Sequence, residues 1–538
     1  MFPPFFFSIM LPTISDCKHL PFFASNRYLF LGERNRVRRT PRSTRRGWQV
    51  SVGLVPGLLW EIVCSSSLSA SGVLQYRVSR LSDADSDFEQ VVRLLEHNQQ
   101  ALSLDSLDPN TLTVWSGERI RLAGLGVAWQ ARFSGENRFT AAEEAWRNLC
   151  EHAQETSGGE DKNFAVAAGA WQAGAAKNCC PEPENTRCSK PGKITWPLVL
   201  GSFGFTPATP SLLLVPALAV VASGGNTWLW QARWQEGQAD FRGRQGNTPE
   251  NAKSKAALAP QPSPLSPSNP AQVTHETYPL LQPDAWKAAV ERATTEIRAG
   301  RAEKIVLARD KELRFDRDVS LARVTRYLAD KYPTCWTYAI GDLVGASPEM
   351  LASVSEGKLL CRVLAGSAVP SQEQRLLSDP KERLEHRLAV QSAEESLTEL
   401  NLDLEVPAPR LLHLGYVTHL ATDITAENLA EQAVTSLRAA AALHPTAAVC
   451  GKPREVAAER LAELEAMDRR RYAAPIGWMD AAGEGEWAIA LRCAERDPAR
   501  ADTYRLIAGA GIMGDSDPQR ELAETETKMS PMLRALQA

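Results

Sequence analysis

The chain has 538 residues, 44% of them hydrophobic and 23% charged, which is ordinary for a globular protein and long enough for more than one domain. A net charge of −4 gives no global attraction to nucleic acid or to an acidic membrane surface. Its 10 cysteines are scattered without a CxxC pair, and a core of this size needs no disulfide framework, so a reduced, cytoplasmic protein with free thiols is expected.

Residues 1–71 read as an extension outside the fold, disordered or the product of a start codon placed too early. They begin with MFPPFFFSIMLP and continue into an arginine run at Arg34, Arg36, Arg38, Arg39, Arg42, Arg45 and Arg46. The apolar stretch Val50–Cys64 is interrupted by Pro56 and Glu61 and is too short to span a bilayer. Signal-like features are present but out of place. Structure is expected from Gly72, where GVLQYRVSR alternates as a strand does. Thr140–Ser157 has Ala142, Ala145, Trp146 and Leu149 at helical spacing. Thr195–Phe205 and Leu212–Ala222 are apolar runs bounded by Gly and Pro, and read as buried strands. Cys179, Cys180 and Cys188 cluster in a polar stretch that lacks a fourth ligand for zinc. Residues 244–272 are rich in Pro, Ser, Asn and Ala and cannot bury enough surface to offset their ordering entropy, so they read as a loop or linker between residues 72–243 and 273–538.

From Asp284 the pattern is dense. A helix with Trp286, Val290, Ala293 and Ile297 on one face runs to Gly300, and the strand KIVLAR follows. Lys304 opens that strand on the face of Val306 and Ala308; it is either a strand-end lysine reaching water or an inward lysine able to act as a base. Glu349, after a Ser-Pro turn and before apolar residues, is either a solvated turn residue or an acid with a raised pKa. Asp379-Pro380 and Asp517-Pro518 each pair an N-cap with a proline at the first helical position. The first helix carries Glu382, Glu385 and His386; the second carries Glu521, Glu524 and Lys528 along one face. Carboxylates from two helices suit Mg²⁺, which prefers oxygen ligands, although two salt-bridged surface helices would show the same spacing. Leu506–Met513 (LIAGAGIM) is a glycine-interrupted strand whose small residues allow close approach of an anion to the backbone, and it lacks the GxGxxG spacing of a dinucleotide fold.

Taken together, KIVLAR (304–309), GASPEML (345–351), LAGSA (364–368), KERLEH (381–386), THLATD (418–423), LHPTAAVCG (443–451), IGWMDAAGEGEWAIALRCA (476–494), AGAGI (508–512) and ELAETETKMS (521–530) resemble the chorismate-binding enzymes. Within that family they are most similar to the isochorismate synthases. The resemblance covers some 250 residues and implies an α+β fold of large antiparallel sheets packed face to face with helices outside, the N-terminal half adding strands to the same unit.

It also implies roles. Lys304 matches the base that activates water for attack at C2 of chorismate, and Glu349 the acid that protonates the departing C4 hydroxyl. Glu385 and Glu524 match Mg²⁺ ligands, with Glu521 assisting through water. Arg492 and Lys528 match anion-binding partners, aided by the backbone near Gly511, and Gly366 and His419 match further pocket residues. Anthranilate and aminodeoxychorismate synthases resemble the chain in the metal motifs but usually carry glutamine where Lys304 stands. Salicylate synthases share the lysine but usually have threonine where Ala448 stands; alanine there is the isochorismate synthase pattern. The expected partner is a small molecule, chorismate, with neither nucleic acid nor membrane, and the expected state is a monomer.

Overall fold

The computed structural model describes residues 72–81, 111–156, 194–236, 270–278, 282–368, 373–414, 417–427, 429 and 433–538. The expectations for residues 1–71, for Cys179, Cys180 and Cys188, and for nearly all of 244–272 lie outside these.

The strands of the first half are β1 (Gly72–Leu81), β2 (Thr113–Ser116), β3 (Arg121–Phe133), β4 (Gln154–Glu155), β5 (Leu198–Ser202), β6 (Ser211–Ser223) and β7 (Asn226–Glu236). Next come β8 (Val273–Thr277), β9 (Lys304–Phe315), β10 (Trp336–Ile340), β11 (Leu343–Ser347), β12 (Met350–Ser355) and β13 (Lys358–Ala368). The last are β14 (Arg410–Leu414), β15 (Val417–Ala426), β16 (Gly451–Lys452), β17 (Pro475–Asp480), β18 (Gly485–Ile489), β19 (Cys493–Asp497) and β20 (Arg500–Ile512). The helices are α1 (Arg138–His152), α2 (Pro283–Arg298), α3 (Leu321–Lys331), α4 (Glu373–Ser378), α5 (Pro380–Thr398), α6 (Ser436–Leu443), α7 (Arg454–Leu464) and α8 (Pro518–Leu536).

The strands form two sheets joined through β6. One runs β4-β1-β7-β6-β3-β2-β10-β11-β19-β20-β9, with β8 and β16 both paired to β9, and the other β6-β5-β17-β18-β12-β13-β15-β14. Among the described residues every pairing is antiparallel except β1 with β4. The link is legible in β6 itself. Leu212–Leu214 pair with β5 and Leu218–Ser223 with β7, while β3 runs along the other edge. Pro216, which has no N–H to give, stands between the two pairings, where a strand can change partners without losing a bond. The run SLLLVPALAVVAS is almost wholly apolar because both faces are covered.

One core contains inward side chains of both sheets, including Leu200, Leu214, Trp478 and Trp487 from one side and Leu307, Tyr338 and Ile507 from the other, so the sheets pack on each other as expected. A second apolar layer lies under α3 and α8, where Val324, Leu328, Met529 and Met532 cover Leu313, Val344, Tyr504 and Leu506. On α8 the buried residues Thr525, Met529, Met532 and Leu536 recur at helical spacing, which leaves Glu521, Glu524 and Lys528 off the packed face.

Most expected elements are present, with shifted ends. The helix expected over Thr140–Ser157 is α1 and stops at His152, because Gln154 and Glu155 pair with Gln75 and Tyr76 of β1. Both Asp-Pro starts are formed: the Asp379 carboxylate accepts the Glu382 N–H at 3.3 Å and Asp517 accepts the Arg520 N–H at 2.8 Å. Cys150, Cys335, Cys361, Cys450 and Cys493 are free thiols.

Candidate active site

Lys304 begins β9, opposite Lys452 of β16. Its Nζ donates to Glu385 Oε1 on α5 at 3.0 Å, and the lysine side chain is 21% exposed. The neighbouring strand leaves room for it. A Cβ on Gly511 would lie 2.9 Å from Lys304 Cε, so glycine here makes space for the lysine.

Glu349 sits between β11 and β12 and is wedged against β18. The Ser347 hydroxyl donates to the Ile489 carbonyl at 2.6 Å and accepts the Glu349 N–H at 3.2 Å, while the Ile489 N–H donates to the Glu349 carbonyl at 3.0 Å. The backbone is therefore held on both sides. Burial pushes the acid from 4.5 up to about 7, against the pull of Lys304, Lys528 and Arg492. Those cations are felt by Glu349 from three separate elements, which places the expected acid, base and anion partners in one neighbourhood.

Arg492, just before β19, holds φ at +49°, and its carbonyl accepts the Ala346 N–H at 3.3 Å. Burial pulls its guanidinium below the usual arginine range, while Tyr472, Cys335, Glu524 and Glu349 act the other way. Among the described residues the guanidinium donates no hydrogen bond to protein. A mostly buried cation with its donors uncommitted is suited to an anionic ligand.

On α8, Lys528 Nζ bridges Glu524 Oε1 at 2.6 Å and the Gly509 carbonyl at 2.9 Å. Burial raises Glu521, opposed by a hydrogen bond from Ser516 and reinforced by the charge of Glu524. The three expected metal-side glutamates do not form a compact cage. Among the described residues no three His, Cys, Asp or Glu groups converge as a metal cluster. Instead Lys304 pairs with Glu385 and Lys528 pairs with Glu524.

Gly366 adopts φ +80° at a bulge in β13, and a Cβ there would come 2.9 Å from Glu382 Oε2, so both conformation and space require glycine. His419 lies opposite Ser367 in the β13–β15 ladder, and burial lowers its pKa. Ala448 shares a small pocket with Glu349. A wider groove of about 580 Å³ near β8, β9 and β20 contains none of these residues, and its charged walls Arg314 and Asp502 pair with each other.

Three contributors were not anticipated. Tyr472 places its hydroxyl 3.3 Å from where a Gly509 Cβ would be and interacts with Arg492, but an aromatic after three arginines carries no signal of its own. Arg309 of β9 donates through Nε to Thr525 at 2.7 Å and through Nη2 to Glu526, tying the lysine strand to the helix of Glu524. Arg469 and Glu465 form an ion pair only 2% and 3% exposed. Arg469 donates to the carbonyls of Val306 at 2.6 Å and Val449 at 2.7 Å, and Glu465 accepts the Ala308 N–H at 2.7 Å. This pair occupies the edge of β9 between its contacts with β16 and β8, doing there what a strand would do.

By frame and by charge the site suits a small anionic molecule, with one acid of raised pKa and cations from strand β9, helix α8 and the segment before β19. The chain belongs to the chorismate-binding enzyme family, whose model, described as chorismate binding enzyme, matches residues 100–537. It is 36% identical over 313 residues to isochorismate synthase DhbC of Bacillus subtilis, covering 52% of this chain and 78% of that protein. Isochorismate synthase EntC of Escherichia coli K12 is 32% identical over 351 residues, covering 63% and 80%. The structure of MenF, the menaquinone-specific isochorismate synthase of Escherichia coli, superposes with a TM-score of 0.60 at 21% identity over 87% of this chain and 96% of that one, a likeness of fold.

Proposed function

We propose that this protein is an isochorismate synthase, an isomerase that moves the ring hydroxyl of chorismate from C4 to C2 in the presence of Mg²⁺. The observation that carries the reading is Glu349: a half-buried residue whose carboxyl is pushed up to about 7 by desolvation, with Lys304, Lys528 and Arg492 acting on it. An acid of that strength keeps much of its proton at neutral pH and can still give it up, which is what a departing hydroxyl requires.

Chorismate carries two carboxylates and needs cations to hold it. Arg492, with uncommitted donors, takes one of them. Glu385 and Glu524, with Glu521 assisting, would hold Mg²⁺, which prefers such carboxylate oxygens, and the ion would supply positive charge for the other carboxylate. Lys304 receives a proton from the water that attacks C2. The ring double bonds shift, the C4–O bond breaks with its electron pair on oxygen, and Glu349 donates the proton that makes the leaving group water. Each proton transfer is worth about 10²–10⁴-fold. No covalent nucleophile or redox group enters this scheme.

Incubation of purified protein with chorismate, with Mg²⁺ and then with EDTA, followed by liquid chromatography, tests this. Isochorismate formed with Mg²⁺, abolished by EDTA and by Lys304→Ala, is the expected result. Salicylate with pyruvate would instead mean that isochorismate is carried on to elimination, against the pattern of Ala448. Absence of turnover would overturn the enzymatic reading.

A further inference from the structure

A small pocket opens beside Glu349, apart from the lysine side of the site. Glu349 and Ala448 belong to its wall, whereas Lys304, Glu385 and Gly511 do not. Its volume is about 40 Å³. That is far too small for a ring substrate but enough for about one to three waters at roughly 10–15 Å³ each.

Its wall is partly polar. Thr446 lines it, and the Thr446 hydroxyl is buried with no hydrogen-bond partner among the described residues. Native interiors pair such groups with protein or with ordered water, so an orphaned hydroxyl on a pocket of this size points to a water. Elsewhere on the wall Arg454 Nη2 donates to the Ser396 hydroxyl, which donates to the Ser392 carbonyl at 2.8 Å. Those groups are hydrogen-bonded to one another, whereas the buried Thr446 hydroxyl has no partner among the described residues.

We infer that this pocket receives the hydroxyl expelled from C4, once protonated, and holds it as water on Thr446. The inference rests on the isochorismate synthase reading. Atoms balance within one turnover: one water adds at C2, the C4–O bond breaks, and the proton of Glu349 completes a second water, which moves into the pocket. In the reverse direction the water on Thr446 is the nucleophile at C4, and the Glu349 carboxylate takes its proton. Forward and reverse reactions therefore share one water site beside the acid.

The experiment combines a high-resolution crystal structure of the Mg²⁺-loaded enzyme with steady-state rates in both directions for wild type, Thr446→Val and Thr446→Ser. The expected result is an ordered water on Thr446 Oγ1, absent in Thr446→Val and kept in Thr446→Ser. With it, kcat falls about tenfold in both directions for valine, the scale of one lost hydrogen bond to the reacting water, and returns with serine. The KM for chorismate stays unchanged. A dry pocket, or full rates in Thr446→Val, overturns the inference while leaving the isomerase intact. Wild-type protein that makes no isochorismate, whether or not the water is present, overturns both.

Discussion

Replacing Glu349 by glutamine removes a carboxyl that burial raises from 4.5 to about 7. The folded protein binds this proton more tightly than the unfolded chain does. Its contribution to stability is therefore fully present below pH 4.5 and is lost as pH rises through about 7. A shift of two to three units at about 1.4 kcal/mol per unit makes that loss about 3 kcal/mol. The attraction of Lys304, Lys528 and Arg492 is already contained in the shift. The amide has no proton to lose, so the stability difference between wild type and Glu349→Gln should change by about 3 kcal/mol between acid and alkaline conditions, in favour of the variant at high pH. Urea unfolding of both proteins in parallel across that range reads it, because the subtraction cancels the other titrating groups. Activity should move with the same group. The variant is expected to lose about 10²–10⁴-fold in kcat at neutral pH. A stability difference that stays flat with pH would refute the argument, since it would mean that the carboxyl is well solvated.

Gly511→Ala sets a methyl 2.9 Å from Lys304 Cε; the flexible lysine end gives way, so kcat should drop up to about 100-fold with little change in melting temperature. Arg492→Lys keeps a charge but loses the forked donors, and KM for chorismate should rise about 10-fold or more while kcat changes less, read from steady-state kinetics. Arg469→Met leaves Glu465 buried without its partner, which should cost about 3–5 kcal/mol in denaturant unfolding. Adding Glu465→Leu should recover only part of this, because the backbone groups of Val306, Ala308 and Val449 stay unpaired.

Local chemistry by itself determined a good deal of this protein. The Asp379-Pro380 and Asp517-Pro518 starts, the helix that stops before Gly300 and the strand at Lys304 all follow from groups within a few residues of one another, and all are formed. The face shared by Glu524 and Lys528 was readable for the same reason, since four residues on a helix bring two side chains together. Resemblance to a family supplied roles for Lys304 and Glu349 that neither residue announces alone. Only the tertiary structure decided what surrounds them. Lys304 meets Glu385 across 81 residues of sequence, Arg469 stands in for a strand along β9, and Thr446 faces a pocket whose other walls come from distant elements. The acidity of Glu349 belongs to this second group, because it depends on how far the segments packed around it keep water from one carboxyl, and desolvation is a property of the assembled fold.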